Sequence, residues 1–553
     1  MTTRLSRYAL IVILALGLLL ATLQLNGHLV PAGDNATYIV LGQSLATGQG
    51  YRMISDPRRP SMALYPPAYP LALAGVLLLS RTAHNLLAAI VPMKLLSIAL
   101  YLLGVALIYE IFRRRNPVLA MMAALLSAVN PHLLYYANEV GTEIPYLVLS
   151  LACIWLFERY CLAQQTARLR QERDSKLLVA TVLALALTSY VRSIALVMVV
   201  AFGLYLLLRR QVRTALLLVL AVGVLAAPWL VYSSSLPSTG TSVGLGRGYF
   251  ALYFSSDPYG TTRASLADWV ARIVQNSRIY ALGIWPEVLF AHAFSISRVL
   301  GGVGIAFLAM AFAMVLLGFA LEAKRGHASE WYVALFFASC ISYLWAQSRL
   351  IVPIIPFAIY YFLSAFDFLV APRLRASPER WRDFASRKIR TSSPNRWRDS
   401  AVWLIAVCIL SLSALVADVR DIQRNLRYGL GQPVETYYGT DAEWSNYLKA
   451  MRWIETNAPQ GTAVMCRKAD LLYVLTRHRA LEYPYSADGK ELRQALYNSR
   501  VAYLIEDAFT WTGTTQQYLR PALQDWQNQD PSALALAYET TKPATRVWRV
   551  RQP

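Results

Sequence analysis

The sequence predicts a polytopic α-helical membrane protein with a small soluble α/β domain at its C-terminal end. The composition is the first reason: 56% of the 553 residues are hydrophobic and 15% are charged, whereas soluble domains carry about 25% charged residues. The second reason is the order of the segments, because long apolar runs alternate with short basic clusters up to about residue 417. The mean hydropathy of +0.38 agrees with this interpretation.

The excess of basic residues predicts a membrane topology. The chain has 53 Lys and Arg against 32 Asp and Glu, a net charge of +21. The basic residues cluster between apolar runs, at 113–115, 168–176, 209–213, 324–325 and 373–398. This is the pattern of cytoplasmic loops and of contact with anionic lipid, so nucleic-acid binding is excluded. The five cysteines show no metal spacing and no CxxC motif, and they imply no disulfide framework.

Placing every basic loop in the cytoplasm predicts about eleven spans, with the N-terminus inside and the C-terminus outside the cytoplasmic membrane. The first apolar run is interpreted as a retained signal anchor. The predicted spans are 8–26, 86–112, 118–135, 144–162, two short spans within 177–208 that turn near Arg192, 215–232, 299–321, 331–345, 350–368 and 402–417. The run 69–79 is too short to span and is predicted to lie along the outer interface.

These boundaries divide the chain at about residue 417. Residues 1–417 form the predicted membrane domain, with outer loops at about 27–85 and 233–297 and a basic cytoplasmic loop at about 372–400. Residues 418–553 form the predicted extracytoplasmic domain. In it, the apolar spacing over 444–456 predicts an amphipathic helix, and strands are predicted from Val464 and over 501–505.

Carboxylates at the predicted outer face are candidates for chemistry. Asp34 follows the first span, and Glu143 stands in the short second outer loop. One could take a proton from a hydroxyl while the other orients the acceptor or holds a metal. The alternatives are structural: Asp34 could cap the helix that follows, and Glu143 could interact with a helix dipole. Glu139 is predicted to be solvated.

Arginines on the same face are candidates for binding a phosphate, because a guanidinium binds phosphate oxygens in pairs and stays charged. The alternative for each arginine is contact with lipid headgroups. Arg192 and Arg349 are the strongest candidates. The other outer arginines are Arg52, Arg58, Arg59 and Arg247.

These residues together resemble a known family. Asp34 after the first span, the run Ala46-Thr47-Gly48-Gln49-Gly50-Tyr51, and Tyr65-Pro66-Pro67-Ala68-Tyr69-Pro70 are similar to the GT-C membrane glycosyltransferases. The resemblance is strongest to the bacterial protein-mannosyltransferase and aminoarabinose-transferase-like group, glycosyltransferase families 39 and 83. It extends to Glu143, to Ser189-Tyr190-Val191-Arg192 and to the segment that begins at Arg349.

The resemblance implies a GT-C fold and a function. It implies transfer of a sugar, with inversion, from a polyprenyl-phosphate donor to a hydroxyl of a cell-envelope glycolipid, polysaccharide or protein at the outer face of the membrane. Asp34 would be the catalytic base and Glu143 the second acidic residue, and Arg58, Arg59, Tyr65, Arg192 and Arg349 would bind substrate. No cofactor is certain. A divalent metal is an open possibility, although no acidic cluster indicates one.

Two other functions stay open at the level of the sequence. One is a transporter or flippase of lipid-linked glycans, which would need ionisable residues within spans. The spans contain few of these, chiefly Lys94 and Glu110. The other is a non-catalytic envelope assembly protein, which would not need charged residues of the outer loops to converge.

Overall fold

The computed structural model describes residues 3–167, 175–236, 253–256, 262–291, 293–369 and 396–552. Most of the predicted basic loop 372–400 and Arg247 lie outside the described residues. The described part consists of a helical portion up to residue 428 and a domain with a five-stranded sheet after it.

Several helices are long and apolar enough to cross a membrane, which confirms the polytopic helical architecture. Among the described residues there are six of these, or seven if a pair of helices bent by 57° counts as one span. The six are Leu5–Leu23, Leu86–Phe112, Glu143–Gln164, Val212–Ser235, Gly302–Ala323 and Ser348–Leu369, and the bent pair is Pro117–Ala128 with Pro131–Ala137. The predicted count of eleven stays a prediction.

The α-helices up to residue 428 are numbered along the chain. They are α1 (Thr3–Leu23), α2 (Asn35–Ala46), α3 (Ala68–Leu79), α4 (Leu86–Phe112), α5 (Pro117–Ala128), α6 (Pro131–Ala137), α7 (Glu143–Ala167), α8 (Ser175–Val191), α9 (Leu196–Leu208) and α10 (Val212–Ser235). After residue 261 follow α11 (Leu266–Ile279), α12 (Trp285–Leu289), α13 (Ala293–Leu300), α14 (Gly302–Ala323), α15 (Ala328–Ser342), α16 (Ser348–Ile351), α17 (Ile355–Leu369) and α18 (Arg396–Tyr428).

The predicted turn near Arg192 is present. Helix α8 ends at Val191, Arg192 has extended backbone angles (φ −145°, ψ 127°), and a short 3₁₀ turn leads into α9. The two helices have 17 and 13 residues. This break places a guanidinium at the junction of two short apolar helices.

A buried ion-pair network joins the ends of four helices beside the basic clusters. Arg115 follows α4, and its guanidinium lies 2.9 Å from Glu158, 2.7 Å from Glu330 and 3.9 Å from Glu322. Glu322 also pairs with Arg325 at 2.9 Å. Since Arg115 and Arg325 both pair with Glu322, two of the basic clusters, 113–115 and 324–325, meet at one end of the helical portion.

The predicted ionisable residues of the second span have local partners. Lys94 is buried, and its ammonium donates to Asn26 Oδ1 at 3.0 Å and to the carbonyl of His28 at 2.7 Å. Glu110 pairs with Arg113 one helical turn away at 2.8 Å. Both therefore have structural explanations that require no transport path.

The C-terminal portion is a small α/β domain, as predicted. Its strands are β1 (Ala463–Met465), β2 (Ala480–Leu481), β3 (Val501–Glu506), β4 (Leu534–Glu539) and β5 (Arg546–Val550), in the order β2-β1-β3-β5-β4. The first three pair in parallel and the last two are antiparallel. Its helices are α19 (Val434–Tyr437), α20 (Ala442–Asn457), α21 (Ala469–Thr476), α22 (Gly489–Asn498) and α23 (Arg520–Gln529). Helix α20 buries Trp444, Leu448, Met451 and Ile454, the residues that the spacing selects.

The first outer loop and the C-terminal domain share one hydrophobic core. Apolar side chains of α2, α3 and the loop between them cluster with those of α20, α21 and β3. Polar contacts reinforce this core: the amide of Ala480 donates to the carbonyl of Ser55 at 2.8 Å, and Tyr473 donates to Gln43 at 3.1 Å. The first outer loop is thus held between the helices and the C-terminal domain.

Candidate active site

A cavity of about 580 Å³ lies where the outer loops meet the C-terminal domain. Its size is in the ordinary range of small-molecule sites. Five of the seven candidate site residues line it, namely Asp34, Arg58, Tyr65, Glu143 and Arg349. Residues that are distant in sequence therefore converge in one place, as the catalytic hypothesis requires.

Asp34 and Arg349 form an ion pair in this cavity. Arg349 Nη1 lies 3.1 Å from Asp34 Oδ2, and about a third of each side chain is exposed, 34% and 32%. Asp34 occupies the N-cap position of α2 but makes no side-chain capping hydrogen bond. The capping alternative therefore does not account for the carboxylate, which points to the arginine.

The surroundings of Asp34 keep its carboxylate ionised. Burial acts to raise the pKa of Asp34, but Arg349, the ammonium of Lys468 and a hydrogen bond from Tyr65 outweigh it and hold the pKa below its ordinary value. Tyr65 is itself positioned, because its carbonyl accepts from Tyr51 at 2.7 Å and its ring packs on Tyr38 at 5.0 Å. The tyrosine of the Tyr65-Pro66-Pro67 segment thus contacts the candidate base directly.

Glu143 is the first residue of α7 and pairs with Arg192 at 3.4 Å. A Cβ at Gly141 would lie 2.5 Å from Glu143 Oε2, so a larger residue there would displace this carboxylate. Arg192 is not among the described residues that line the cavity, so it reaches the site through Glu143. The first-turn position of Glu143 also satisfies the helix-dipole alternative, and the two roles are compatible.

Glu139 contradicts its prediction. It was expected to be solvated, but the residue is only 7% exposed and lines the cavity. Burial is the main reason that the pKa of Glu139 rises to about 8, with a further contribution from Glu143. The sequence around Glu139 does not indicate burial, because a short polar loop between two spans is expected to be exposed to solvent.

The two neighbouring arginines of the first outer loop have different positions. Arg58 lines the cavity and makes a two-point contact with Asp56, at 3.0 and 2.6 Å. Arg59 is exposed, has a left-handed backbone (φ 50°) and is not among the described residues that line the cavity. Arg58 therefore lies in the cavity, where its predicted role would need it, and Arg59 does not. The binding role of each arginine stays a prediction.

Sequence reasoning missed the part of the site that the C-terminal domain contributes. Lys468 lines the cavity and donates to the carbonyl of Ala32 at 3.2 Å. Burial lowers the pKa of Lys468, while Asp34 opposes that effect. Asp470 accepts from Thr37 at 2.6 Å and from Ser55 at 2.7 Å, and burial raises its pKa to about 6. No local pattern marks these residues, because only tertiary packing brings them to the first outer loop.

Metal binding finds no further support among the side chains. In the part of the chain that the structure describes, no group of three or more His, Cys, Asp or Glu side chains is arranged to hold a metal ion. The two predicted acidic residues each pair with an arginine instead.

Comparisons with known proteins relate part of the sequence to one family and the fold to several solved structures. The family model for dolichyl-phosphate-mannose-protein mannosyltransferase matches residues 65–232. No curated protein matches the chain at a significant level.

Two solved structures have the same fold along almost the whole chain. One is the oligosaccharyltransferase AglB from Archaeoglobus fulgidus, in complex with an inhibitory peptide and a dolichol-phosphate. It has a TM-score of 0.56 and 11% identity, over 99% of this chain and 74% of that one. The other is ArnT from Cupriavidus metallidurans bound to undecaprenyl phosphate, with a TM-score of 0.54 and 12% identity, over 97% of each chain. The expected GT-C fold is confirmed.

Proposed function

We propose that this chain, a membrane glycosyltransferase of the GT-C superfamily, transfers a sugar from a polyprenyl-phosphate donor to an acceptor hydroxyl, with inversion. The observation that carries the proposal is the ion pair of Asp34 with Arg349 in the cavity. One partner can accept a proton and the other can hold a phosphate, which are the two functions that the reaction needs. The AglB and ArnT structures described above contain dolichol-phosphate and undecaprenyl phosphate, which agrees with this donor.

The reaction follows from these positions. The acceptor oxygen bonds to the anomeric carbon as the bond from that carbon to the phosphate oxygen breaks. The acceptor proton passes to Asp34, and the lipid phosphate leaves as an anion that Arg349 and Arg58 stabilise. Glu143, held by Arg192, orients the acceptor.

The ion pair also couples donor binding to the base. Without donor, Arg349 keeps Asp34 weakly basic. A donor phosphate that binds Arg349 draws the guanidinium away from the carboxylate, so Asp34 becomes a stronger base once the donor is present. This arrangement favours transfer of the acceptor proton to Asp34 only when the donor is bound.

The proposal includes an orientation. The cavity and the C-terminal domain face the outside of the cytoplasmic membrane, and the N-terminus lies in the cytoplasm. One observation supports it: Arg115 and Arg325, from two of the basic clusters, meet at one end of the helices. The positive-inside rule assigns such an end to the cytoplasm.

Replacement of Asp34 by Asn tests the catalytic role. Asn has nearly the same size and shape as Asp but carries no charge, so the change isolates the charge. We expect transfer from a radiolabelled polyprenyl-phosphate sugar to fall by about 100- to 10,000-fold, while the purified protein keeps its elution volume and melting temperature.

Asp488→Asn is the matched control. Asp488 caps α22 with a side-chain hydrogen bond, and it is not among the described residues that line the cavity. Its variant should transfer at the wild-type rate. Wild-type transfer by the Asp34 variant would end the proposal, and flipping of the lipid without transfer would favour the transporter.

A further inference from the structure

The cavity has a second wall that the proposed reaction does not use. It is built from the segments that follow the three parallel strands of the C-terminal domain. Arg467 and Lys468 follow β1, Glu482 follows β2, and Trp511 lies in the loop after β3. All four line the cavity that contains Asp34.

The carboxyl edge of a parallel sheet is a general binding position. In open α/β sheets, ligands bind outside the carboxyl ends of the strands, where the connections leave in opposite directions. Here β1 lies between β2 and β3, so its carboxyl end is that position. The carboxyl edge of this sheet, where such sheets bind ligands, therefore faces the cavity that contains Asp34.

Trp511 gives this wall a half-exposed aromatic surface, and the ammonium of Lys468 lies 5.8 Å from the centroid of its ring. The residue is 52% exposed, although a buried position would be usual for so large a side chain. It is supported from within the domain by Trp444, whose ring is stacked at 6.1 Å, and by Phe509 at 5.9 Å. A rigid, half-exposed indole provides a flat platform with little loss of entropy on binding.

Planar hydrogen-bonding groups stand in the same wall. Arg467 Nη1 lies 3.5 Å from Glu482 Oε2, and Tyr485 joins both, accepting from Arg467 at 2.7 Å and donating to Glu482 at 3.1 Å. A guanidinium beside a carboxylate offers several donors and acceptors side by side. Such a pair can bind neighbouring hydroxyl groups, which both donate and accept.

The charge of the wall favours a neutral polyhydroxylated ligand. Its cations are Arg467 and Lys468, and its carboxylate is Glu482. Asp470, which lies beside this wall on α21 and also lines the cavity, supplies a second carboxylate, so the charges balance. A strongly anionic acceptor would need an excess of cations. A sugar ring has an apolar face for the indole and hydroxyls for the planar pair.

We propose that this wall is the acceptor subsite and that the acceptor is a saccharide. This proposal rests on the proposed function. The saccharide stacks on Trp511, its hydroxyls bind Arg467 and Glu482, and one hydroxyl reaches Asp34. That oxygen forms the bond to the anomeric carbon, its proton goes to Asp34, and the lipid phosphate leaves.

The experiment compares purified full-length variants Trp511→Ala and Trp511→Phe with Leu536→Ala. Leu536 is similarly exposed (49%) but lies on β4, at the far edge of the sheet. The donor is a radiolabelled polyprenyl-phosphate sugar from a lipid extract of the native host. The acceptors are two envelope fractions from a strain that lacks the gene, a protein-free saccharide fraction and a delipidated protein fraction.

We expect label to enter the saccharide fraction. Trp511→Ala should raise the half-saturating amount of that fraction by about tenfold, the upper range of an aromatic contact. The maximal rate and the half-saturating donor concentration should stay near wild type. Trp511→Phe should recover most of the affinity, and Leu536→Ala should match wild type.

Two results would overturn the subsite. They are labelling of the protein fraction alone, and an unchanged half-saturating amount of saccharide in Trp511→Ala. Neither affects the proposed transferase, which fails only if Asp34→Asn transfers at the wild-type rate. The two proposals can therefore fail separately.

Discussion

At the scale of single residues, the carboxylates of the site differ in whether a cation pairs with them. Asp34 and Glu143 each pair with one arginine, and Glu139 has neither of those partners close enough to offset its burial. The pKa values consequently diverge, below the ordinary value for Asp34 and to about 8 for Glu139. Divergent values in one cavity are a feature of catalytic sites, and they favour Asp34 as the group that is ionised and ready to accept a proton.

Replacing Arg349 should reveal this dependence in the pH profile. In the wild type, the low pKa of Asp34 keeps the base ionised, so activity should be flat from about pH 5 upward. Burial raises the pKa of Asp34, and Arg349 is the main group that lowers it. In Arg349→Gln this lowering effect is removed, so the pKa of Asp34 should rise. The acid limb of the residual rate should therefore move to higher pH, measured as kcat/KM for the donor.

The neighbouring arginines supply matched controls for that experiment. Arg58→Gln should weaken donor binding but leave the pH profile flat, because Arg58 pairs with Asp56 and not with Asp34. Arg59→Gln should behave as wild type, since its side chain is exposed away from the cavity. A profile of Arg349→Gln that coincides with wild type would contradict the role of the ion pair.

At the scale of elements, hydrogen bonds and ion pairs hold the helices together at both ends. At the end beside the cavity, the contacts of Asp470 and Tyr473 hold α2 and the loop after it to α21. At the other end Arg115 connects α4 to α7, α14 and α15. Because Arg115 is buried with several carboxylates, its removal leaves uncompensated charge.

Arg115→Met should therefore destabilise the protein by about 3–5 kcal/mol, as expected for one partner removed from a buried pair. Arg113→Met is the control. Arg113 has the same type of side chain two residues earlier, but its pair with Glu110 is largely exposed, and its loss should cost about 0.5 kcal/mol. Thermal unfolding in detergent compares the two, and equal effects would show that the network does not hold the helices together.

At the scale of the whole molecule, the cavity belongs to neither part alone. Its walls come from the outer loops and from the C-terminal domain, and the first outer loop shares its core with that domain. The predicted boundary at about residue 417 therefore marks a change in the composition of the sequence. Helix α18 runs through it without a break, from Arg396 to Tyr428.

The proposed orientation can be measured with reporter fusions. Alkaline phosphatase fused after Gln552 should be active, because the C-terminal domain is expected outside, and β-galactosidase at that position should be inactive. Fusions after Arg325 should give the opposite result, since the basic end is expected in the cytoplasm. Reversed activities would place the cavity on the cytoplasmic side and would exclude the proposed transfer at the outer face.

Much of this protein follows from its sequence alone. Hydropathy determines the membrane-length helices, because a buried backbone in lipid must satisfy its own hydrogen bonds. The break at Arg192, helix α20 and strands β1 and β3 follow from local patterns. Asp34 could be selected because a carboxylate beside a membrane span is costly without a function.

Tertiary structure decided which of these charges meet. Arg349 is 315 residues from Asp34, and Lys468 and Trp511 come from another part of the chain, so no local pattern could join them. The same packing buried Glu139 and left Arg59 outside. Local propensity depends on neighbours in sequence, whereas desolvation and ion pairing depend on neighbours in space.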